Sequence, residues 1–510
     1  MDFLNQLVSD VNGVLWGVFF LIPLLCGTGI FYTIKLRFVQ VRKFGLAARF
    51  LLGGASLFGK RADKSGMSSF QALATAVAAQ VGTGNVAGTA TALVAGGPGS
   101  LFWLWVAAFF GMATIFAEAV LAQTYRTKDE QGRVLGGPAY YITLGMGEKW
   151  RPLAVFFSIA IIIALGCIGN MVQSNSIAHA MQTAFNVPAA VSGVVCAVLA
   201  GLVFFGGVGR LASVTEKIVP FMAAIYLIGG LWVIGAHITE VIPAFRLIFV
   251  AAFDPEAVMG GALGLTVAKA MQFGVARGLF SNEAGMGSTP HAHAVARVKH
   301  PAEQGLAAII GLFIDTFIVV NMTAFVILCT GSLDGTTTGI ALTQKAFTLG
   351  LGTIGNGFVA VCLLFFAFTT IVGWYFFAEQ NVKYLVGVRY VSIYRVLVLA
   401  FIMAGSFLHV TLVWELADLF NGLMAIPNII ALIGLSKVVG RALEDYEKKF
   451  LAGETPEFGE LAPVPADIPR YNGAPAQDPA LEPKPQHHRR LGGLRNRFRR
   501  RPHNAQENDA

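Results

Sequence analysis

Apolar runs of about 20 residues, separated by short polar gaps, recur from Val14 to Met424. A run of that length crosses the roughly 30 Å hydrocarbon core of a bilayer as one helix. The pattern therefore predicts about eleven transmembrane helices. They fall near residues 14–34, 68–94, 101–125, 152–182, 189–209, 216–236, 262–286, 305–330, 353–377, 393–413 and 417–438. A membrane β-barrel would show alternating segments of about ten residues, whereas these runs are apolar on every face. The predicted class is an all-α integral membrane protein: a short N-terminal stretch (1–13), one continuous membrane unit (14–440) and a tail (441–510).

Two of the predicted helices contradict their own surroundings. The second contains "AAQVGTGNVAG", in which Gln80, Thr83 and Asn85 stand among Gly82, Gly84 and Gly88. Glycine costs a helix interior about 1 kcal/mol against alanine, and polar groups in hydrocarbon are expensive without partners. Gly84, Gly88 and Ala92 form a small-residue face suited to close helix packing. Packing leaves the three polar residues unexplained, and a half-helix break accounts for all of them. Secondary transporters build midplane sites from such breaks, with helix N-termini facing carboxylates and unwound carbonyls facing cations. A nucleotide fingerprint is excluded, because no strand precedes these glycines and their spacing is wrong.

The seventh run, "LGLTVAKAMQFGVARGLFSNEAGMGS", interrupts in the same way with Gly274, Gly278 and Gly285. Each interrupted span opens a group of five, at about 68–236 and 262–438, and the two run in opposite directions, as inverted repeats predict.

Charge supplies the orientation. Of 510 residues, 55% are hydrophobic and 13% charged, against roughly 25% charged in soluble domains. No basic residue precedes the first span and eight Lys/Arg follow it between Lys35 and Lys64. The positive-inside rule places that loop in the cytoplasm, the N-terminus outside and, with an odd number of spans, the C-terminus inside. Met1 to Gly13 lacks the basic start of a cleavable signal. The polar, Pro-rich end with seven arginines from Arg489 to Arg501 reads as a disordered tail that fixes topology or touches anionic lipid. Nucleic acid is not an expected partner. All five cysteines fall within predicted spans, without metal-ligand spacing.

Other polar residues at depth each have two readings. Gln173 in "GCIGNMVQSNS" either reaches a midplane ligand or bonds a neighbouring helix. Thr369 and Thr370 in "FFAFTTIVGW" either offer hard oxygens to a small cation or bond their own helix. Asp315 suits a coupling cation, a proton relay or a hydrogen-bond network, and Glu118 with Arg126 reads as an anchor. His291, His293 and His300 show no metal or nucleophile pattern that would make an enzyme.

The runs from Ala74 to Arg126, from Gly166 to Ser176 and from Phe273 to Ala294 resemble the alanine or glycine:cation symporter family, also called sodium:alanine symporters, and the likeness spans about 14–440. The resemblance implies a leucine-transporter type of fold in the cell inner membrane, with one peripheral helix and two inverted five-helix repeats. It implies sodium-coupled symport of small neutral amino acids, alanine and glycine, with Na+ as coupling ion and no organic cofactor. By motif, Thr83, Gly84 and Asn85 would meet the substrate carboxylate, the opened seventh span near Phe273 and Gly274 would take the ammonium, and Gln173 would line the pocket. Thr369 and Thr370 would hold sodium with backbone oxygens near Gln80 and Val81. Proton-coupled symport and, from another class, a gated channel are the alternatives.

Overall fold

The computed structural model describes residues 2–17, 19–52, 66–129, 132–254, 266–407 and 410–451. Helices make up nearly all of it, with two pairs of two-residue strands at the loops. Seven helices among the described residues are long and apolar enough to cross a membrane, so the chain is a multi-pass membrane protein. The predicted tail beyond Leu451 lies outside the described residues.

The predicted N-terminal stretch is an amphipathic helix, Asp2–Leu15, and the predicted first span is a second, Leu21–Lys35. The N-terminal helix is docked by Asn12, whose amide donates to the Glu415 carboxylate at 2.6 Å, and by the Trp16 indole, which donates to the Asp418 carbonyl at 3.0 Å. The second span starts at Ser69 behind a capping box, in which Ser68 and Gln71 satisfy each other's backbone N–H. The third runs unbroken from Ser100 to Thr124. The fourth and eighth each carry a wider helical segment, at Ile162–Gly169 and Ile314–Val320. Such π-bulges are frequent at functional sites.

Hydropathy overlooked several helices outside the predicted spans. Val241–Phe253 and Gly339–Leu351 have 13 residues each, about 20 Å at 1.5 Å per residue and too short to span. Ser436–Leu451 escaped because its polar face cancels its apolar one, so the predicted polar tail is helical over its first residues. The ninth span, Gly355–Val386, extends nine residues beyond the predicted 377.

Glycine brings the central helices together. A Cβ on Gly274 would overlap the Ser100 carbonyl, and one on Gly305 would lie 2.6 Å from the Phe116 ring. These close approaches seat the third span between the seventh and eighth.

The Ser436–Leu451 helix is held by ion pairs from Arg42 and Lys43 to Glu447, each 3.1 Å, and by His300 Nε2 against Asp445 at 3.1 Å. His300 Nδ1 accepts the Ala302 N–H at 3.1 Å and caps the eighth span, so Nε2 carries the proton that Asp445 accepts. Lys449 shares Asp445 at 2.8 Å, and the Tyr446 ring lies 5.2 Å from the imidazole. Burial lowers the His300 pKa, against the opposing pull of Asp445. The neutral ring's contribution is thus complete above the ordinary value near 6.5 and is lost as pH falls through the depressed one. Amide protection over 436–451 and the first turn from Pro301, corrected for the intrinsic exchange rate, should fall as pH drops below about 6.5. His300→Asn, which keeps a capping oxygen, should flatten that dependence, and an equally steep profile in the variant would refute it.

Candidate functional site

The second span breaks where the glycines predicted. Ser69–Gln80 is α-helical, Val81 leaves helical geometry at ψ 89°, and a wider turn, Gly84–Gly88, leads into Thr89–Ala95. The N–H groups in the break turn to side chains: Gly82 donates to Asn85 Oδ1 at 2.9 Å and Thr83 to Gln173 Oε1 at 3.2 Å. Beside them two buried donors, the Thr83 hydroxyl and Gln173 Nε2, have no protein acceptor. Both sit at the opened helix, so each has a hydrogen to offer there.

Asn85 has no amide to spare. Its Nδ2 donates to Asp315 Oδ1 at 2.6 Å while its Oδ1 accepts from Gly82. It shapes the break from behind. Asp315, wholly buried, also accepts the Ser281 hydroxyl at 2.9 Å and that of Thr316 at 2.9 Å. The eighth and seventh spans thereby grip the break together.

The ninth span approaches from the other side, where a Cβ on Gly373 would lie 2.9 Å from that of Ala79. One turn earlier the Thr370 hydroxyl stands 3.0 Å from the Ala78 carbonyl and 3.3 Å from that of Val81. An unbroken helix would bond the Ala78 carbonyl to the Gly82 N–H, which here goes to Asn85. Thr369 does not join this group: its hydroxyl turns to the Phe366 carbonyl and the Met222 sulfur. The Gln80 side chain likewise points away and donates to the Asn282 carbonyl at 2.7 Å.

The seventh span corrects an expectation. It is one continuous helix from Val267 to Asn282, so Phe273 and Gly274 lie inside regular hydrogen bonding and the chain is not opened there. Glycine had suggested an opening at Gly274 and Gly278, but both serve close approach to Ser100 and Leu104. The interruption comes later, where Glu283, Gly285 and Gly287 take φ of +59°, +84° and +81°. The Glu118 carboxylate from the third span accepts the N–H groups of Gly285 at 3.2 Å and Gly287 at 2.9 Å. Asn428 completes the clasp by donating to Glu118 at 2.7 Å and to the Gly285 carbonyl at 2.9 Å.

The end of that helix faces the second-span break. A Cβ on Gly84 would lie 3.2 Å from the Phe280 ring and 3.3 Å from the Ser281 Cβ. The Phe280 ring meets Trp374 edge-on at 5.9 Å, and Trp374 stands one turn beyond Thr370. Thr83, Gly84, Gln173, Phe280, Ser281, Thr370 and Trp374 therefore converge, although four different stretches of sequence supply them.

A sequence model of the sodium:alanine symporter family matches residues 1–460. The chain belongs to the sodium:alanine symporter family. It is 46% identical over 449 residues to an uncharacterized transporter of Haemophilus influenzae, covering 87% of this chain and 96% of that one. It is 42% identical to the sodium/alanine symporter AgcS of Methanococcus maripaludis, covering 86% and 96%. It is 40% identical to the probable sodium/glutamine symporter GlnT of Bacillus subtilis, covering 89% and 93%. Among solved structures, a mutant of the Eremococcus coleocola manganese transporter is similar over 74% of this chain and 73% of that one, with 13% identity and a TM-score of 0.43.

As a member of that family the chain is an amino-acid:cation symporter. Sequence reasoning placed the break and put Gln173 and Thr370 beside it, where the structure has them, and did not place Phe280, Ser281 and Trp374 there. Phe280 and Trp374 look like core aromatics in any helical pattern. The one available signal was that the polar stretch "FSNE" continues past the seventh helix's last glycine pair.

Proposed function

We propose that the protein is a sodium-driven symporter of alanine and glycine, working by alternating access between two sides of the inner membrane, with its N-terminus outside and C-terminus in the cytoplasm. The observation that carries this reading is the pair of idle donors, Thr83 Oγ1 and Gln173 Nε2, at the opened turn of the second span. With the N-terminal end of the following helical segment they favour a carboxylate. The ammonium would sit at the carbonyl-rich C-terminal turn of the seventh helix beside Phe280 and Ser281, in place of Phe273 and Gly274. Sodium would take the Thr370 hydroxyl and the Ala78 and Val81 carbonyls, all hard oxygens. Because one loosened turn serves both ligands, filling either site orders backbone that the other needs, and the assistance is reciprocal. The eleven-span arrangement of one peripheral helix and two inverted repeats belongs to the same reading.

Proteoliposomes containing the protein should accumulate labelled alanine under an inward sodium gradient. Equal accumulation with potassium in place of sodium, driven by a pH gradient, would overturn the cation assignment. Asn85→Ala should raise the alanine KM about 10-fold or more, because it strands the Gly82 N–H and removes a donor from Asp315, about 1–3 kcal/mol each. An unaltered KM would exclude the supporting role given to Asn85.

A further inference from the structure

Glu283 is wholly buried, sits one residue beyond the seventh helix and takes a left-handed backbone conformation, φ +59°. Side chains with a Cβ seldom adopt that region, and glycine does so freely. A glutamate there carries backbone strain that its side-chain contacts must offset. Both carboxylate oxygens are engaged: one accepts the Ser288 hydroxyl at 2.6 Å and the other accepts the indole N–H of Trp374. Among the described residues no ion pair reaches Glu283, as none reaches the wholly buried Glu118 and Asp315, whereas the buried Glu379 pairs with Lys383 at 2.6 Å. An unpaired buried carboxylate is a poor packing element.

We propose that Glu283 is a positioning residue that fixes the Trp374 indole as the wall limiting the substrate side chain, and thereby confines transport to the smallest amino acids. The inference rests on the reading that the pocket at Gly84 takes small amino acids. The indole is held at two edges. Its six-membered ring lies over Gly169, where a Cβ would stand 2.6 Å from Cζ3, and it backs Phe280, which in turn closes on Gly84. Its N–H edge is held by Glu283. Packing alone restricts translation of the ring, and the hydrogen bond sets its rotation. Removing the acceptor leaves a buried N–H without a partner, so the ring turns to find one and the wall is lost. The Glu118 clasp on Gly285 and Gly287 fixes the loop that carries Glu283, so the acceptor does not drift with the helix end.

The test compares kcat/KM for glycine, alanine, valine and leucine in proteoliposomes, per inserted protein. E283A should raise the valine-to-alanine ratio about 10-fold, the scale on which apolar pockets discriminate one or two methylenes. E283Q keeps an acceptor for the indole and should restore a near-native ratio, and S288A, which leaves the indole bond in place, should do the same. W374F should relax selection on its own, and E283A combined with W374F should add nothing to it, because both remove one contact. An unchanged ratio in E283A, or additive effects in the double variant, would overturn the proposal. If E283A fails to insert, an unchanged ratio in W374F would overturn it equally. A wild-type protein that takes up no alanine sinks the functional reading, whereas alanine-selective wild type with an equally selective E283A sinks only this inference.

Discussion

Gly82→Ala should abolish sodium-driven alanine uptake, by about 100-fold or more in initial rate, while the protein still inserts and folds. The added methyl would overlap the Thr370 hydroxyl and stand 3.2 Å from Gln173 Oε1. Both neighbours are committed, Thr370 to the Ala78 and Val81 carbonyls and Gln173 to the Thr83 N–H. One carbon atom therefore pushes on the proposed cation and carboxylate positions together, and a misplacement near 1 Å at a binding constellation costs about that factor. Gly88→Ala is the control, since a Cβ there meets nothing closer than the Thr83 carbonyl at 3.8 Å and should leave uptake within about twofold. Initial rates in proteoliposomes, normalised to inserted protein, provide the measurement. A Gly82→Ala protein with more than half the native rate would show that the break does not bind both ligands.

Thr370→Val should raise the sodium concentration for half-maximal uptake about 10-fold or more, with little change in thermal stability. Valine matches threonine in shape and removes only the hydroxyl, so two carbonyls at 3.0 and 3.3 Å lose their companion oxygen. The value follows from losing one charge-assisted ligand, about 1.5–3 kcal/mol. Thr369→Val should leave sodium activation unchanged, because that hydroxyl bonds its own helix and Met222. Sodium titrations at saturating alanine separate the two variants, and an equal shift in both would return Thr369 to the site and refute the geometry.

Adjacent threonines illustrate why the site was only partly legible beforehand. In a helix, neighbours point about 100° apart, so "TT" within an apolar span tells that hard oxygens are present and not which one faces the broken helix. Glycine was ambiguous in a similar way. At Gly82 it permits a break, and at Gly274 and Gly278 it permits two helices to touch. The residue type is the same, and the distinction depends on whether a neighbouring backbone or a bound ligand fills the space. Asn85 read as a ligand because its motif stands at the break, yet its amide is spent on Gly82 and Asp315, a partner 230 positions away.

Hydropathy and the glycine and polar pattern determined, without any coordinates, that the chain crosses a membrane many times and that the second span breaks at Gly82 to Asn85. These properties follow from transfer free energies and backbone strain, which belong to each segment by itself. Which helix stays intact and which side chains meet were decided by packing. The seventh helix runs whole to Asn282 because the third span lies against its glycines, and its chain opens only where Glu118 and Asn428 offer the freed backbone groups new partners. Such choices depend on groups brought together from distant spans, and only the tertiary structure contains them.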